Sequence, residues 1–285
     1  MTSLCLSRRA LLVAFLCAVG CKHPADSNAP SKLRLVSLSP DMTETLFEIG
    51  AGSSVIAVSD YCDAPPEVSK LPRVGTSITP NYEAITRLGP SLIVSEANVA
   101  ARKRELEALG PTRLFPWLTL PEIAGSVREL GKLTGKRAAA DALAQRLETR
   151  LGVPAPPNGP RVLAVLGGEG GDTIDIWFVR DNSLHGAALR AAGARNAITE
   201  AVNGPPRLSH ERLLELDPDA ILVLSKPSSG GAKQTGFERF TTLRAVQQNR
   251  VARVETQEAF ANGPRILPLI ERLKSELSRM GLGGS

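Results

Sequence analysis

Two glutamates occupy equivalent places in two copies of one short pattern. The first copy reads NYEAITRLGPSLIVS (81–95) and the second LSHERLLELDPDAILVLS (208–225). Glu83 and Glu211 are 128 residues apart, and so are Pro90 and Pro218. Each copy predicts a polar helix starter, a glutamate in the first turn, an apolar helix face, a turn with Pro, and an apolar strand. A carboxylate in a first helical turn is favoured by the helix dipole, so capping alone accounts for one such residue. A repeated, exposed carboxylate also suits a two-fold symmetric partner, which offers the same patch twice. Exposed ion pairs add only about 0–1 kcal/mol, yet they steer encounter and fix orientation.

Aromatic residues make up only 4% of the chain, so each Trp or Tyr carries information. Tyr61 follows the apolar run VIAVSD, at the carboxyl end of a predicted strand, among Asp60, Cys62, Asp63 and two prolines. Trp177 lies near the end of DIWFV, in the matching region of the second half, with Arg180, Asp181 and Asn182 as nearby polar groups. Ligands prefer the carboxyl ends of strands in open α/β sheets and the interfaces between lobes. Tyr61 and Trp177 are therefore candidate ligand contacts, with core packing as the plainer role of each.

Signs of catalysis are few. The histidines His23, His185 and His210 stand in no HExxH or CxxC-type spacing. There is no GxSxG elbow. GGEGGDT (167–173) lacks the spacing and Lys of a phosphate loop and reads as a turn. His185 and His210 are expected on solvated helix surfaces, and Cys62 in an unremarkable loop. A metal-dependent enzyme is a distant alternative. The formal charge of +5 permits contact with anionic surfaces, but no basic cluster with interleaved aromatics points to nucleic acid.

The first twenty residues read as an export signal: Arg8 and Arg9, then LLVAFLCAVG. About ten apolar residues are too few to span a bilayer, which takes roughly 20. Ala18-Val19-Gly20-Cys21 resembles a bacterial lipobox, with Ala18 where Leu is preferred, and makes Cys21 the candidate lipidation site. Removing residues 1–20 takes two arginines and lowers the side-chain charge from +5 to +3. Cys62 then stands without an internal disulfide partner. Residues 21–32 read as a polar tether.

After the tether, strands alternate with helices over 33–120, which predicts an open, mainly parallel α/β lobe. Ser39-Pro40 opens one helix and Asn81 caps another. A connector follows at 121–152, helical over 121–135 and again over 136–151, the latter a rod of about 24 Å. The alternation restarts for a second lobe at 160–285. There Ser183 caps a helix, FERFTTLRAVQQ (237–248) is predicted helical, and PRILPLIERLKSELSRMG ends the chain as a helix.

Beyond these patterns, SLSPDMTETLFEIGAGSSVIAVSDYCDAPPEVSKLPRVG, NYEAITRLGPSLIVS, SHERLLELDPDAILVLS and NGPRILPLIERL resemble the periplasmic cobalamin-binding proteins of ABC importers. These belong to a wider group of receptors that also takes haem and iron–siderophore complexes. The resemblance spans nearly the whole chain after the signal. It implies two Rossmann-like α/β lobes joined by a single long α-helix, the class III periplasmic substrate-binding architecture. It implies a cobalamin or related corrinoid as transported ligand, no resident cofactor, and a permease dimer with its ATPase subunits as partner. It assigns Glu83 and Glu211 to permease docking and places Arg265 near the ligand. Ser77, Glu96 and Pro205 stand where tryptophans line the cleft of cobalamin receptors. That departure leaves an iron–siderophore or haem receptor of the same fold as the alternative.

Overall fold

The computed structural model describes residues 33–167, 176–200, 205–227 and 235–283. The expected signal, tether and Cys21 lie outside them, as does GGEGGDT apart from Gly167. Strand β1 (Leu35–Ser37) runs into helix α1 (Pro40–Glu48), followed by β2 (Val55–Val58), α2 (Tyr82–Leu88), β3 (Leu92–Glu96), α3 (Lys103–Glu107) and β4 (Thr112–Phe115). The four strands pair in parallel in the order β2-β1-β3-β4. Parallel sheets are covered on both faces, which is why β1, β2 and β3 read as apolar runs and not as alternations. Leu35, Leu92 and Val94 pack with Met42 and Leu46 of α1. Val36 and Ile93 face the opposite way, toward Ile85 of α2 and Leu106 of α3. Ser39 caps α1 by accepting from the Met42 N–H, with Pro40 in the first turn, and Asn81 caps α2.

The connector contains two helices, α4 (Leu120–Thr134) and α5 (Arg137–Leu151). The helix expected over 136–151 is present as α5, and α4 folds back along it. Gly135, in the left-handed conformation at φ 70°, ends α4 where only glycine turns without strain. Arg128 holds Glu148 through two hydrogen bonds of 2.7 Å, and Gly131 lies against Ala140. Thr119 and Glu122 form a reciprocal capping box at the start of α4. Arg146 of α5 pairs with Glu48 of α1, which ties α5 to the first sheet.

The second half contributes β5 (Arg161–Leu166), β6 (Ile176–Phe178), α6 (Leu184–Ala191), β7 (Arg195–Asn196), β8 (Arg207–Leu208), α7 (His210–Leu216), β9 (Ala220–Ser225), α8 (Arg244–Gln247), β10 (Val251–Glu255) and α9 (Leu267–Arg279). Its sheet runs β10-β9-β5-β6-β8, with β5, β9 and β10 parallel and β6 antiparallel to β5. Arg150 of α5 pairs with Glu271 of α9. The two copies of the repeat therefore occupy matching places: α2 precedes β3, and α7 precedes β9, each beside the central strand of its sheet. Ser183 caps α6 as expected.

Two expectations are corrected. The helix over 237–248 shrinks to Arg244–Gln247. Its apolar residues Phe237, Phe240, Leu243 and Val246 recur every three positions, and the chain follows with successive three-residue turns: Phe240 N–H to Phe237 O, Leu243 N–H to Phe240 O, Val246 N–H to Leu243 O. A period of three suits tight turns better than the 3.6 of an α-helix. His185 is not solvated. It is 8% exposed, with Nε2 3.0 Å from the carbonyl of Ala259, because α6 is buried along most of its length.

The α4–α5 seam makes a paired test. Alanine inside a helix is favoured over glycine by about 1 kcal/mol. At Gly131 the added methyl would overlap Ala140, and such overpacking costs about 1–3 kcal/mol. At Gly125 of the same helix there is open space. Gly125→Ala is expected to raise the unfolding free energy by about 0.5–1 kcal/mol and Gly131→Ala to lower it, both read by urea denaturation.

Candidate functional site

The carboxyl ends of both sheets meet in a cleft. On the first side, Asp41 and Glu44 sit one helical turn apart at the start of α1, just beyond β1. Tyr61 and Asp63 follow β2, and Glu96 ends β3. On the other side, Lys226 follows β9, while Phe260, Asn262 and Arg265 follow β10. A cavity of about 200 Å³ lies between Asp41, Glu44, Tyr61 and Asp63 on one wall and Lys226, Phe260 and Arg265 on the other. A second cavity of about 240 Å³ is lined by Leu118, Phe178, Arg180, His185, Phe260 and Asn262. Phe260 is common to both. Beyond Arg265 lies a wider groove of about 790 Å³, lined by Phe47, Pro65, Pro66, Pro264 and Leu267.

Charged and polar bonds cross this cleft. Arg265 forks onto Glu44, with Nη2 to Oε1 at 2.8 Å and Nε to Oε2 at 3.1 Å, and also reaches Asp63 at 3.3 Å. Lys226 pairs with Asp63 at 2.8 Å. The Asn262 N–H donates to Asp41 Oδ1 at 2.8 Å. Trp117 Nε1–H donates to the Asn262 carbonyl at 2.8 Å, and the Asn262 amide donates back to the Trp117 carbonyl at 3.2 Å.

Burial governs the acids. It pushes Asp41 up to about 7, helped by the charges of Glu96 and Glu44 and opposed by the hydrogen bond from Asn262. Burial also raises Glu44, which is only 7% exposed, against the pull of Arg265. Glu96 is raised by burial while Ser39 and Asn98 hydrogen-bond to it. Burial works on Asp63 in the same direction, but the hydrogen bond and charge of Lys226, with Arg265, leave it lowered.

Of the residues singled out in the sequence, Tyr61 and Arg265 line the same cavity, and Tyr61 is 72% exposed. Glu96 stands beside Asp41 without lining either cavity between the lobes. Ser77 is half-buried in the loop 75–80, which bonds to Asp60 next to Tyr61. Pro205 is exposed, and its neighbour Pro206 lines the second cavity. Trp177 is half-buried on β6, with the Arg207 guanidinium 4.8 Å from its ring centroid, and it lines neither cavity. Arg180 reaches the second cavity, whereas Asp181 is bound by Arg190. Cys62 is buried, its thiol raised by burial and 3.3 Å from Thr43 Oγ1.

Glu83 and Glu211 each take the second position of their helices, α2 and α7. Both helices lead through a short turn into a parallel strand, so both begin at the cleft end of their sheets. Glu83 pairs with Arg87 at 2.6 Å, with both side chains largely exposed. Glu211 is lowered by its own backbone N–H and by Ser209. Asp41, Glu44 and Phe260 were not singled out in the sequence. The signal was present, since all three follow strands at their carboxyl ends, as Tyr61 does.

Known proteins decide the family. The profile described as periplasmic binding protein matches residues 35–258. The chain belongs to the periplasmic binding protein family. It is similar to the vitamin B12-binding protein of Pectobacterium carotovorum, 26% identical over 88% of this chain and 91% of the relative. Its fold is similar to the crystal structure of the periplasmic vitamin B12-binding protein BtuF of Vibrio cholerae. There the TM-score is 0.68 at 25% identity, covering 87% of this chain and 97% of the other. The haem-binding protein HutB of Vibrio cholerae shares the fold with a TM-score of 0.70 at 18% identity, over 87% and 99% of the two chains. As a member of this family the protein is an ABC transporter substrate-binding protein and not an enzyme. Among the described residues no helix is long and apolar enough to cross a membrane.

The elevated Asp41 makes a pH prediction for this periplasmic binding protein. A carboxyl whose folded value lies above its unfolded 3.8 adds stability that is fully present below about pH 4 and lost as pH rises through about 7. In Asp41→Asn this dependence is absent. The unfolding free energy of the variant, relative to the parent, is expected to rise by on the order of 3 kcal/mol between pH 4 and 7, read by denaturation at stepped pH.

Proposed function

We propose that this protein captures a corrinoid, cobalamin or a close relative, between its two α/β lobes and delivers it to a two-fold symmetric permease driven by ATPase subunits. Lobes over 33–120 and 160–285 with a connector at 121–152 describe the cleft best. The observation that carries the ligand assignment is the charge of its walls. In the first cavity, beside Asp41, the cations Arg265 and Lys226 are already held in ion pairs by Glu44 and Asp63. Such walls disfavour haem propionates and anionic ferric chelates, because an entering carboxylate would have to compete with Glu44 and Asp63 for the cations they already hold. They accept a macrocycle without net negative charge. Relatives that match nearly the whole chain are named vitamin B12-binding or cobalamin-binding proteins, which supports the same choice.

Tyr61 and Arg265 are the proposed first contacts, with Glu96, Ser77 and Pro205 at the cleft margin and Trp177 set back on β6. The two cavities of about 200 and 240 Å³ are each smaller than the ~300–1,000 Å³ of most ligand pockets. A corrinoid therefore requires the walls to part at the Lys226–Asp63 and Arg265 contacts. Glu83 and Glu211 are proposed to dock on cationic groups of the permease, one per lobe. An acyl chain on Cys21, added after export, would hold the receptor at a bacterial membrane.

Equilibrium titration tests the ligand. Cyanocobalamin or dicyanocobinamide is expected to bind at one equivalent, and haemin more weakly than either. Absence of corrinoid binding at high micromolar concentration removes the assignment. Docking is tested separately. Glu83→Lys with Glu211→Lys is expected to abolish permease-dependent uptake while leaving ligand affinity within about twofold, since both side chains are exposed, line neither cavity and are screened by solvent. Uptake that persists in the double variant refutes docking.

A further inference from the structure

We propose that Phe260 is the second lobe's aromatic ligand contact and the counterpart of Tyr61 across the cleft. This inference rests on the reading of the cleft as the ligand site. Along β6 successive side chains alternate between the faces of the sheet. Ile176 and Phe178 are buried in the core, and Phe178 borders the second cavity. Trp177 therefore points to the other face, where its register partner Arg207 covers the ring. The tryptophan that strand position suggested is turned away from the cavities.

Phe260 has the opposite disposition. It sits between Ala259 and Ala261, both buried, and is itself 46% exposed. The alanines anchor the segment, and the phenyl ring is the member of the three left in the cleft. It lines both cavities and shares one of them with Tyr61. The backbone that carries it is fixed on both sides, by His185 to the Ala259 carbonyl and by Asp41 and Trp117 to Asn262. A rigid aromatic costs little entropy to use as a contact and presents a flat apolar face to a planar ring. Exposed apolar area in a narrow cleft is unfavourable until something covers it. A corrinoid edge provides that cover without adding negative charge.

The test measures dissociation constants for the parent and for Phe260→Ala, Phe260→Trp, Trp177→Leu and Leu214→Ala. The probes are cyanocobalamin, dicyanocobinamide, haemin and ferrichrome. Leu214 is also a large exposed apolar residue but lies outside the cleft. Phe260→Ala is expected to weaken the bound probe by about tenfold, the size of one apolar face lost from a contact. Phe260→Trp is expected to stay within about threefold, Leu214→Ala to be unchanged, and Trp177→Leu to lose less than Phe260→Ala. Thermal unfolding of Phe260→Ala should match the parent, because the ring is not part of the core. If Phe260→Ala binds like the parent, or Trp177→Leu loses more, the proposal is overturned. If haemin or ferrichrome binds and the corrinoids do not, the corrinoid reading fails, and Phe260 is judged by the same variants on the ligand that binds. If no probe binds, both fall.

Discussion

Carboxylates placed at the start of α1 must find partners, and the partners come from the far end of the chain. Ser39 and Pro40 set the first turn of the helix, so Asp41 and Glu44 project where β1 ends, out of bulk water. A charge removed from water without compensation costs several kcal/mol. The segment Ala259–Arg265 answers this need: the Asn262 N–H meets Asp41, and Arg265 meets Glu44. These bonds tie the segment after β10 to the start of α1. A shift of one residue in this segment would move Asn262 away from both Asp41 and Trp117. At the cleft, half-buried Asp41 and buried Glu44 on one side thus meet donors from the other.

This arrangement also bears on motion. The lobes are tied at the cleft by the Asn262 and Arg265 bonds and at the back by α5, whose Arg146 and Arg150 pair with α1 and α9. The surface pairs are individually weak. The hairpin geometry matters more, because α4 buries one side of α5 and resists bending it. A connector of this kind favours small rocking of the lobes over wide hinge opening. Under the proposed function a small opening at the Lys226–Asp63 and Arg265 contacts would admit the ligand between Tyr61 and Phe260.

Much of this was legible in the sequence because it rests on local rules. Apolar runs separated by caps and Gly or Pro stops gave the strands, and Ser39, Asn81 and Ser183 marked helix starts to the residue. The repeated glutamates were visible because the duplication is in the sequence itself. What could not be read was the pairing of distant segments. Asp41 and Glu44 look like ordinary helix-start acids until Asn262 and Arg265 are seen opposite them, 221 residues away. His185 looked solvated because its partner is a backbone carbonyl at Ala259, which no side-chain pattern announces. Trp177 was placed correctly along its strand, but the face it points to depends on the antiparallel pairing of β6 with β5 and β8. The turns at 237–246 mimicked a helix because a spacing of three is close to 3.6 over one or two turns and diverges only later.

The proposed function gives the same side-chain type two different jobs, and solvent separates them. Of the acids of the cleft, Glu44 is buried and Asp41 and Glu96 are half-buried, so their charge is sensitive to proton concentration and to whatever enters beside them. A ligand with propionates would add charge where Asp41 is already driven toward its neutral form. Glu83 and Glu211 are exposed, each in the first turn of its helix. Charge that is retained and exposed is poor at holding a complex together but good at guiding one, and two weak contacts on a rigid body specify an orientation that one cannot. The stiffness of the α4–α5 hairpin would therefore serve both proposed tasks: it limits how far the lobes part when the cross-cleft ion pairs yield to a ligand, and it limits how far the two acidic helix starts can move apart.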